Sequence, residues 1–528
     1  MSWMKDSGHG LPARALLALL LWATAVRADD APPIQVGVVA AKSLDAAAAF
    51  AKQYGLDLPP PLTAAGLEKQ FPFIGQGGLA TDKPIGIVLF GGSGVKPDQQ
   101  MTTFAFPIRP PAITLEALKG LGGKPMPDHP DTVLMNGVGF RRTPDYMVFG
   151  PLAAAVANAD LDALAGAVKD PGAVARVKID LKAVRTNMPE QYQSLLDAMR
   201  QGALGNAGAA GQAGAGAAID RIQQAFANID RVELGLDNRE TGVRLSVAAA
   251  PLKLPALTPG DLPGMPAGVF ARFDLACSPD WLLDADAMQK IADARDQDSG
   301  RALDTHQKKK LQDILTNAKA LFLGGDAVSI GVDFVGDSPV VYMVSHYASP
   351  INYPGDLRKL VEQANAFSTE VHDTGKLTLQ TYKLNDIQVV RLVMTENQKP
   401  SAYIDAVKQG DNLFLAASDK QFLYIDRLLA VKANGPRQAL ASGSIDLGKL
   451  FDTAGKTSGS PIADMPADQQ KRLAELFRDQ KVSISFVSEG DGGTFDITIP
   501  QGLLKNAPNF VARLAGSAAQ GNGTPTSK

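Results

Sequence analysis

Apolar positions along this chain follow two rhythms, and the same succession of them occurs in three places. Residues 177–181 are strand-like and end in Asp180-Leu181. Tyr192, Leu195, Leu196 and Met199 then recur at helical spacing, and strand-like stretches follow at 232–236 and 243–247. The succession returns from 270–275 through Leu311, Ile314, Leu315 and Ala318 to 328–334 and 340–344. It returns again from 444–447 through Leu473, Leu476 and Phe477 to 482–486 and 495–499. Each predicts a strand ending in Asp-Leu, a helix, and two strands joined by a turn. A degraded fourth version is expected at 34–39, with an Ala-rich helix reaching Phe50 and strands at 85–90 and 103–108.

The spacing between versions predicts a tandem duplication. Tyr146, Met147, Val148 and Phe149 correspond to Asn412, Leu413, Phe414 and Leu415, and Ile179, Asp180 and Leu181 to Ile445, Asp446 and Leu447, at a constant shift of 266 positions. Met188-Pro189 matches Met465-Pro466 at a shift of 277, whereas Val232 matches Val482 at 250, so the first half carries 27 additional residues. Much of that excess is the Gly/Ala/Asn/Gln stretch 202–217, too poor in large apolar groups to form core.

Between these blocks a connector predicts a helix near 115–121, a hairpin over 133–149 and a helix near 153–168. With its flanking strands this reads as β-α-β-β-α-β, the ferredoxin-like order. The second half adds a hairpin of 377–382 against 387–394. The expected fold class is therefore α+β: a duplicated, mostly antiparallel sheet with helices packed on one face. Pro251, Pro255, Pro259, Pro263 and Pro266 predict an extended linker. The domains are expected at 1–28 (signal peptide), 29–255, a linker at 256–266, 267–505, and a C-terminal end and disordered tail at 506–528.

Strands such as 85–90, 340–344 and 387–394 are apolar on both faces and need cover on two sides. Helices supply one cover. The other half, a partner or an apolar ligand is expected to supply the second.

Lys5 and Arg14 precede an apolar run at 15–26 that has the length of a secretory leader and is too short to span a bilayer. Val26 and Ala28 suit cleavage before Asp29, which places the mature chain outside the cytoplasm, secreted or periplasmic. Loss of Lys5, Asp6, Arg14 and Arg27 leaves 49 basic and 54 acidic residues, a formal charge of −5. Such a chain offers no broad cationic field for nucleic acid. Cys277, the only cysteine, can form no intramolecular disulfide and lies too far along the chain for a lipoprotein anchor. No later stretch reaches transmembrane length.

No residue pattern points to catalysis, a cofactor or a metal, so no such residue is assigned. Gly91, Gly92 and Gly94 follow an apolar strand but lack the Lys-Ser/Thr of a phosphate loop, and Val95 breaks a nucleophile elbow at Ser93. Asp180, Asp274 and Asp446 suit capping of a turn. His129, His306, His346 and His372 have no ligand spacing. Asp296, Asp298 and Asp304 around Gly300 lack the closing Glu of a calcium loop. Lys308, Lys309 and Lys310 suit an exposed helix face. Cys277 suits a small buried residue, and Trp281, the only mature tryptophan, gives little support for a stacking platform.

The stretch from Ala175 through Asp180-Leu181 to Asn187-Met188-Pro189-Glu190-Gln191-Tyr192 resembles a segment of an uncharacterised family of secreted planctomycete-type bacterial proteins. Lys83-Pro84-Ile85-Gly86 and residues 106–118 are similar to the same family. The resemblance implies an extracytoplasmic α+β protein and no activity. The expected function is a non-enzymatic binding or structural protein for an envelope component. A carrier or sensor of an apolar, lipid-like ligand is the alternative, and a hydrolase the second.

Overall fold

Alternation builds the first strand: in β1 (Ile34–Ala41) Val36, Val38 and Ala40 are buried and the residues between them are more exposed. The Ser43 side chain accepts a hydrogen bond from the N–H of Ala46 and so starts helix α1 (Leu44–Gln53). This computed structural model describes residues 33–56, 58–91, 101–190, 192–194, 197, 227–258, 260–278, 303–335, 338–421, 424–455, 462 and 465–505. The sequence expectations for 1–28, Gly92, Ser93, Gly94, 202–217, Trp281, Asp296, Asp298, Gly300 and 506–528 lie outside the described residues.

The chain divides into two units, one containing residues up to 197 and 229–251, the other residues 198–228 and everything from 252 onward. The first continues with α2 (Ala64–Gln70), β2 (Ile85–Gly91), β3 (Met101–Pro107), α3 (Leu115–Gly120), β4 (Lys124–Met126) and β5 (His129–Met135). Then follow β6 (Val138–Arg142), β7 (Tyr146–Gly150), α4 (Ala153–Ala157), α5 (Leu161–Ala167), β8 (Ala173–Asp180), α6 (Leu181–Asn187), β9 (Arg231–Arg239) and β10 (Gly242–Ala250). Their order across the sheet is β10-β9-β8-β1-β2-β3-β7-β6-β5-β4, antiparallel throughout.

The second unit contains β11 (Asp261–Pro263), β12 (Ala271–Leu275), α7 (Thr305–Phe322), β13 (Ala327–Val335), β14 (Ser338–His346), α8 (Tyr353–Glu370) and β15 (Lys376–Leu384). It goes on to β16 (Ile387–Glu396), β17 (Lys399–Gln409), β18 (Asn412–Ser418), α9 (Ile425–Leu429), β19 (Ala433–Pro436) and β20 (Ala441–Asp446). It ends with α10 (Leu447–Ala454), α11 (Ala467–Leu476), β21 (Lys481–Glu489) and β22 (Gly492–Pro500). Its sheet runs β22-β21-β20-β12-β13-β14-β18-β17-β16-β15, again antiparallel throughout. Position by position this is the order of the first unit, with β12 in the place of β1 and β15 in that of β4. β11 and β19 form a separate ribbon.

The strand-helix-strand-strand blocks read from the sequence form three-stranded meanders: β1-β2-β3, β8-β9-β10, β12-β13-β14 and β20-β21-β22. Within each unit the first strands of its two blocks pair with each other, Val39 opposite Val177 and Phe273 opposite Gly443. This corrects the ferredoxin-like order. That order would set β8 beside β3, but β2 already occupies the edge, so the returning strand joins the free edge of β1. β20 joins β12 in the same way.

Helices lie on both faces of each sheet, which corrects the one-face expectation. Val88 and Phe90 pack with Val156 and Leu164 of α4 and α5, while Ile85, Phe106 and Phe149 point the other way and pack with Leu67 and Leu118 of α2 and α3. In the second unit Val389 and Val407 meet Ile425 and Leu428 of α9, and Val390 and Leu392 meet Leu357 and Leu360 of α8. The strands that are apolar on both faces thus find most of both covers inside their own unit, Val341 of β14 and Met394 of β16 remaining exposed.

The hairpin expected at 377–394 is β15-β16, with Leu377 opposite Met394. It has a shorter counterpart in the first unit, β4-β5, whose first strand holds Pro125. The proline-spaced segment is extended and held within the second unit. The N–H of Thr258 donates to Ala276 O at 2.8 Å, its hydroxyl to Asp326 O at 2.7 Å, and the N–H of Gly264 to Lys432 O at 3.0 Å.

Candidate binding face

The three aspartates part company. Asp180 and Asp446 are the N-caps of α6 and α10 and accept hydrogen bonds from the N–H groups of Ala183 (2.8 Å) and Lys449 (3.1 Å). The Asp274 carboxylate instead accepts from Arg272 Nε at 2.8 Å and from the Ser329 hydroxyl at 2.6 Å. Replacing Asp180 or Asp446 with Ala is expected to cost about 1 kcal/mol in denaturant unfolding.

The other residues singled out in the sequence are scattered. His346 Nδ1 lies 3.1 Å from Asn412 Oδ1, His306 sits in the first turn of α7, His129 begins β5, and His372 follows α8 with φ +53°. Asp304 closes a capping box with Gln307, and Lys310 pairs with Glu370 at 2.6 Å. Among the described residues no group of three or more His, Cys, Asp or Glu side chains could hold a metal ion. No helix among them is long and apolar enough to cross a membrane.

Cys277 packs with Leu275 and Leu440, and burial pushes its thiol pKa up, which suppresses the nucleophilic thiolate. Native protein is therefore expected to react with an aromatic disulfide reagent at least about a hundredfold more slowly than denatured protein, measured by thiolate release.

Buried charges are matched within the sheets. Arg391 on β16 makes a two-pronged bond to Asp405 on β17, Nε to Oδ1 at 2.6 Å and Nη2 to Oδ2 at 2.7 Å. Its guanidinium lies 5.0 and 5.7 Å from the ring centres of Tyr382 and Tyr403. The corresponding strands of the first unit carry the pair in reverse, Asp131 on β5 and Arg141 on β6 at 2.9 Å. Arg176 on β8 meets Asp237 on β9 at 2.5 Å, and Arg239 reaches the other oxygen of Asp237 at 3.1 Å. The hydrogen bond to Asp405 pushes the pKa of Arg391 up from its ordinary value, so this guanidinium keeps its proton.

Sequence reasoning missed these pairs. Their signal was a lone charge inside an apolar strand, Arg391 in Val-Val-Arg-Leu-Val and Asp405 in Tyr-Ile-Asp-Ala-Val.

Buried tyrosines surround the same region. Tyr347, whose hydroxyl donates to Leu321 O, has its pKa pushed by burial from 10.0 up to about 12, with a hydrogen bond from Ser345 opposing. Burial raises Tyr353 and Tyr382 further, with the Asp405 charge adding to it. The folded state keeps the phenols neutral while the unfolded chain ionises near 10.0, so their contribution is full below that pH. It falls as pH rises towards about 12, and denaturant titrations through this window are expected to show stability dropping there.

One surface leaves large apolar groups uncovered. Directly opposed strand residues share a face, so Ile497, Ile484, Gly443, Phe273 and Ile330 form one row across β22 to β13. Val482, Ile445, Ala271, Val332 and Val341 form the next. Phe495, Phe486, Ala441, Leu275 and Val328 form a third, in which Leu275 and Val328 are buried. Phe273 is 36 %, Val341 40 %, Ile445 43 % and Phe495 37 % exposed. The reverse face is polar, with Asp496, Ser485, Ser442, Asp274 and Ser329 in one row. The adjoining helices α10 and α11 bury none of their own residues, although Phe451 of α10 stacks on buried Phe477 at 4.6 Å.

No family model, curated protein or solved structure matches the chain.

Proposed function

We propose that this is a non-enzymatic, extracytoplasmic binding protein that meets an envelope protein through the apolar rows of β12, β20, β21 and β22. The observation that carries this reading is the exposure of Phe273, Ile445, Phe495 and Val341 on one face of one unit, because neighbouring large apolar groups in water favour a partner that removes them from it. Tandem duplication belongs to the same reading and is supported by the ten-strand order that the two units share. It makes the paired charges and capping aspartates parts of the fold.

The extracytoplasmic location is supported by the leader pattern at 5–28, and N-terminal sequencing of the exported protein is expected to begin at Asp29.

A photo-crosslinking residue at position 273, set against one at 485 on the polar face, tests the binding reading in intact cells of the source. A discrete adduct from 273 and none from 485 is the expected result. No adduct from either, or equal adducts from both, would count against it. The carrier of an apolar ligand held between the sheets is less well supported, since in the first unit Phe71, Phe73, Phe104, Phe106, Phe140 and Phe149 interlock with one another. Lipid adducts in native mass spectra would revive it.

A further inference from the structure

β15 is a long edge strand with a defined free stretch. Asn385 and Asp386, at φ +48° and +65°, make the two-residue turn into β16 and leave Leu384 opposite Ile387. In such a hairpin the flanking pair exchanges both backbone bonds, so residues 384, 382, 380, 378 and 376 point their N–H and C=O groups at β16. Residues 377, 379, 381 and 383 point theirs outward. Asn365 of α8 confirms the phase. Its Oδ1 accepts from the N–H of Leu377 at 2.8 Å, and its Nδ2 donates to Leu377 O at 2.7 Å.

That amide takes the place of a neighbouring strand at one residue and stops there. Among the described residues, nothing meets the outward backbone groups of Leu379, Thr381 and Lys383, and Thr381 and Lys383 are exposed. The strand carries neither proline nor bulge, whereas its counterpart β4 is three residues long with Pro125 at its centre.

We propose that this edge pairs antiparallel with the same edge of a second copy, centred on Thr381. The free stretch selects the occupant and the register. About Thr381 the outward groups are self-complementary: Thr381 faces Thr381 and Leu379 faces Lys383, and every outward group of these residues is used. A register centred on 380 needs the groups of Leu377, which Asn365 already holds, and one centred on 382 leaves Leu379 without a partner before the turn at Asn385. Lys383 is the only charge in the stretch, and it falls opposite Leu379 rather than its own copy, so no like charges meet. This edge is distinct from the apolar rows of β12 and β20–β22.

Sedimentation equilibrium of the full chain over a concentration series tests it. Wild type is expected to dimerise. Thr381→Pro removes an outward donor that β16 does not use, and is expected to raise the dimer dissociation constant at least about tenfold with an unchanged circular dichroism spectrum. Thr381→Lys and Thr381→Glu are each expected to be monomeric alone and to form a dimer when mixed, since the two-fold sets position 381 against itself. A monomeric wild type, a Thr381→Pro chain that dimerises as wild type does, or a Lys/Glu mixture that stays monomeric would overturn the proposal.

Discussion

Asp405→Ala is expected to destabilise the protein by about 3–5 kcal/mol, read from denaturant midpoints at constant slope. Asp405 and Arg391 are 3 % and 6 % exposed, so removing the carboxylate strands a guanidinium that water cannot reach. The rings of Tyr382 and Tyr403 return only part of that loss, on the order of 1–2 kcal/mol. The joint replacement Arg391→Met with Asp405→Leu removes both charges from the interior and is expected to lie within about 1 kcal/mol of wild type or above it. A single variant that costs under about 1 kcal/mol would show that water or another residue compensates Arg391, contrary to the closed pairing described here.

Phe149→Ala is expected to cost about 3–5 kcal/mol. The Phe149 ring lies 4.9 Å from Phe73, 5.0 Å from Phe71, 5.2 Å from Phe106 and 5.3 Å from Phe104, centre to centre. These contacts come from two separate segments of the first unit, residues 71–73 and β3, so no single shift of one neighbour can refill the space. Phe273→Ala in the second unit removes a ring of the same size that is 36 % exposed, and is expected to cost under about 1 kcal/mol. Thermal or chemical unfolding of the two variants separates a core ring from a binding-face ring. Equal losses would mean that the rows around Phe273 are core.

The local chemistry of the fold was legible in the sequence because it is written in neighbours. Alternation marked the meanders, the 266-residue shift aligned Asp180 with Asp446, and both prove to be helix caps. The apolar runs 377–382 and 387–394 marked the β15-β16 hairpin. What depends on distant pairing was not legible. The expected ferredoxin-like order failed because strand adjacency is settled by which edges are already bonded, and β2 had taken the edge of β3. Asp274 shares its position in the pattern with two capping residues, yet Arg272 and Ser329 hold it over the sheet. The apolar rows of the candidate face read as core from alternation alone, since alternation reports a side and not what covers it.

An experimental structure superimposed on itself, first unit onto second, tests the duplication most directly. If the two units are copies, β1 to β10 fall on β12 to β18 and β20 to β22 in the order given, with Tyr146 on Asn412 and Asp180 on Asp446. A strand order that differs between the units, or an overlay that displaces Asp180 from Asp446 by one residue and so turns every side chain to the opposite face, would contradict it.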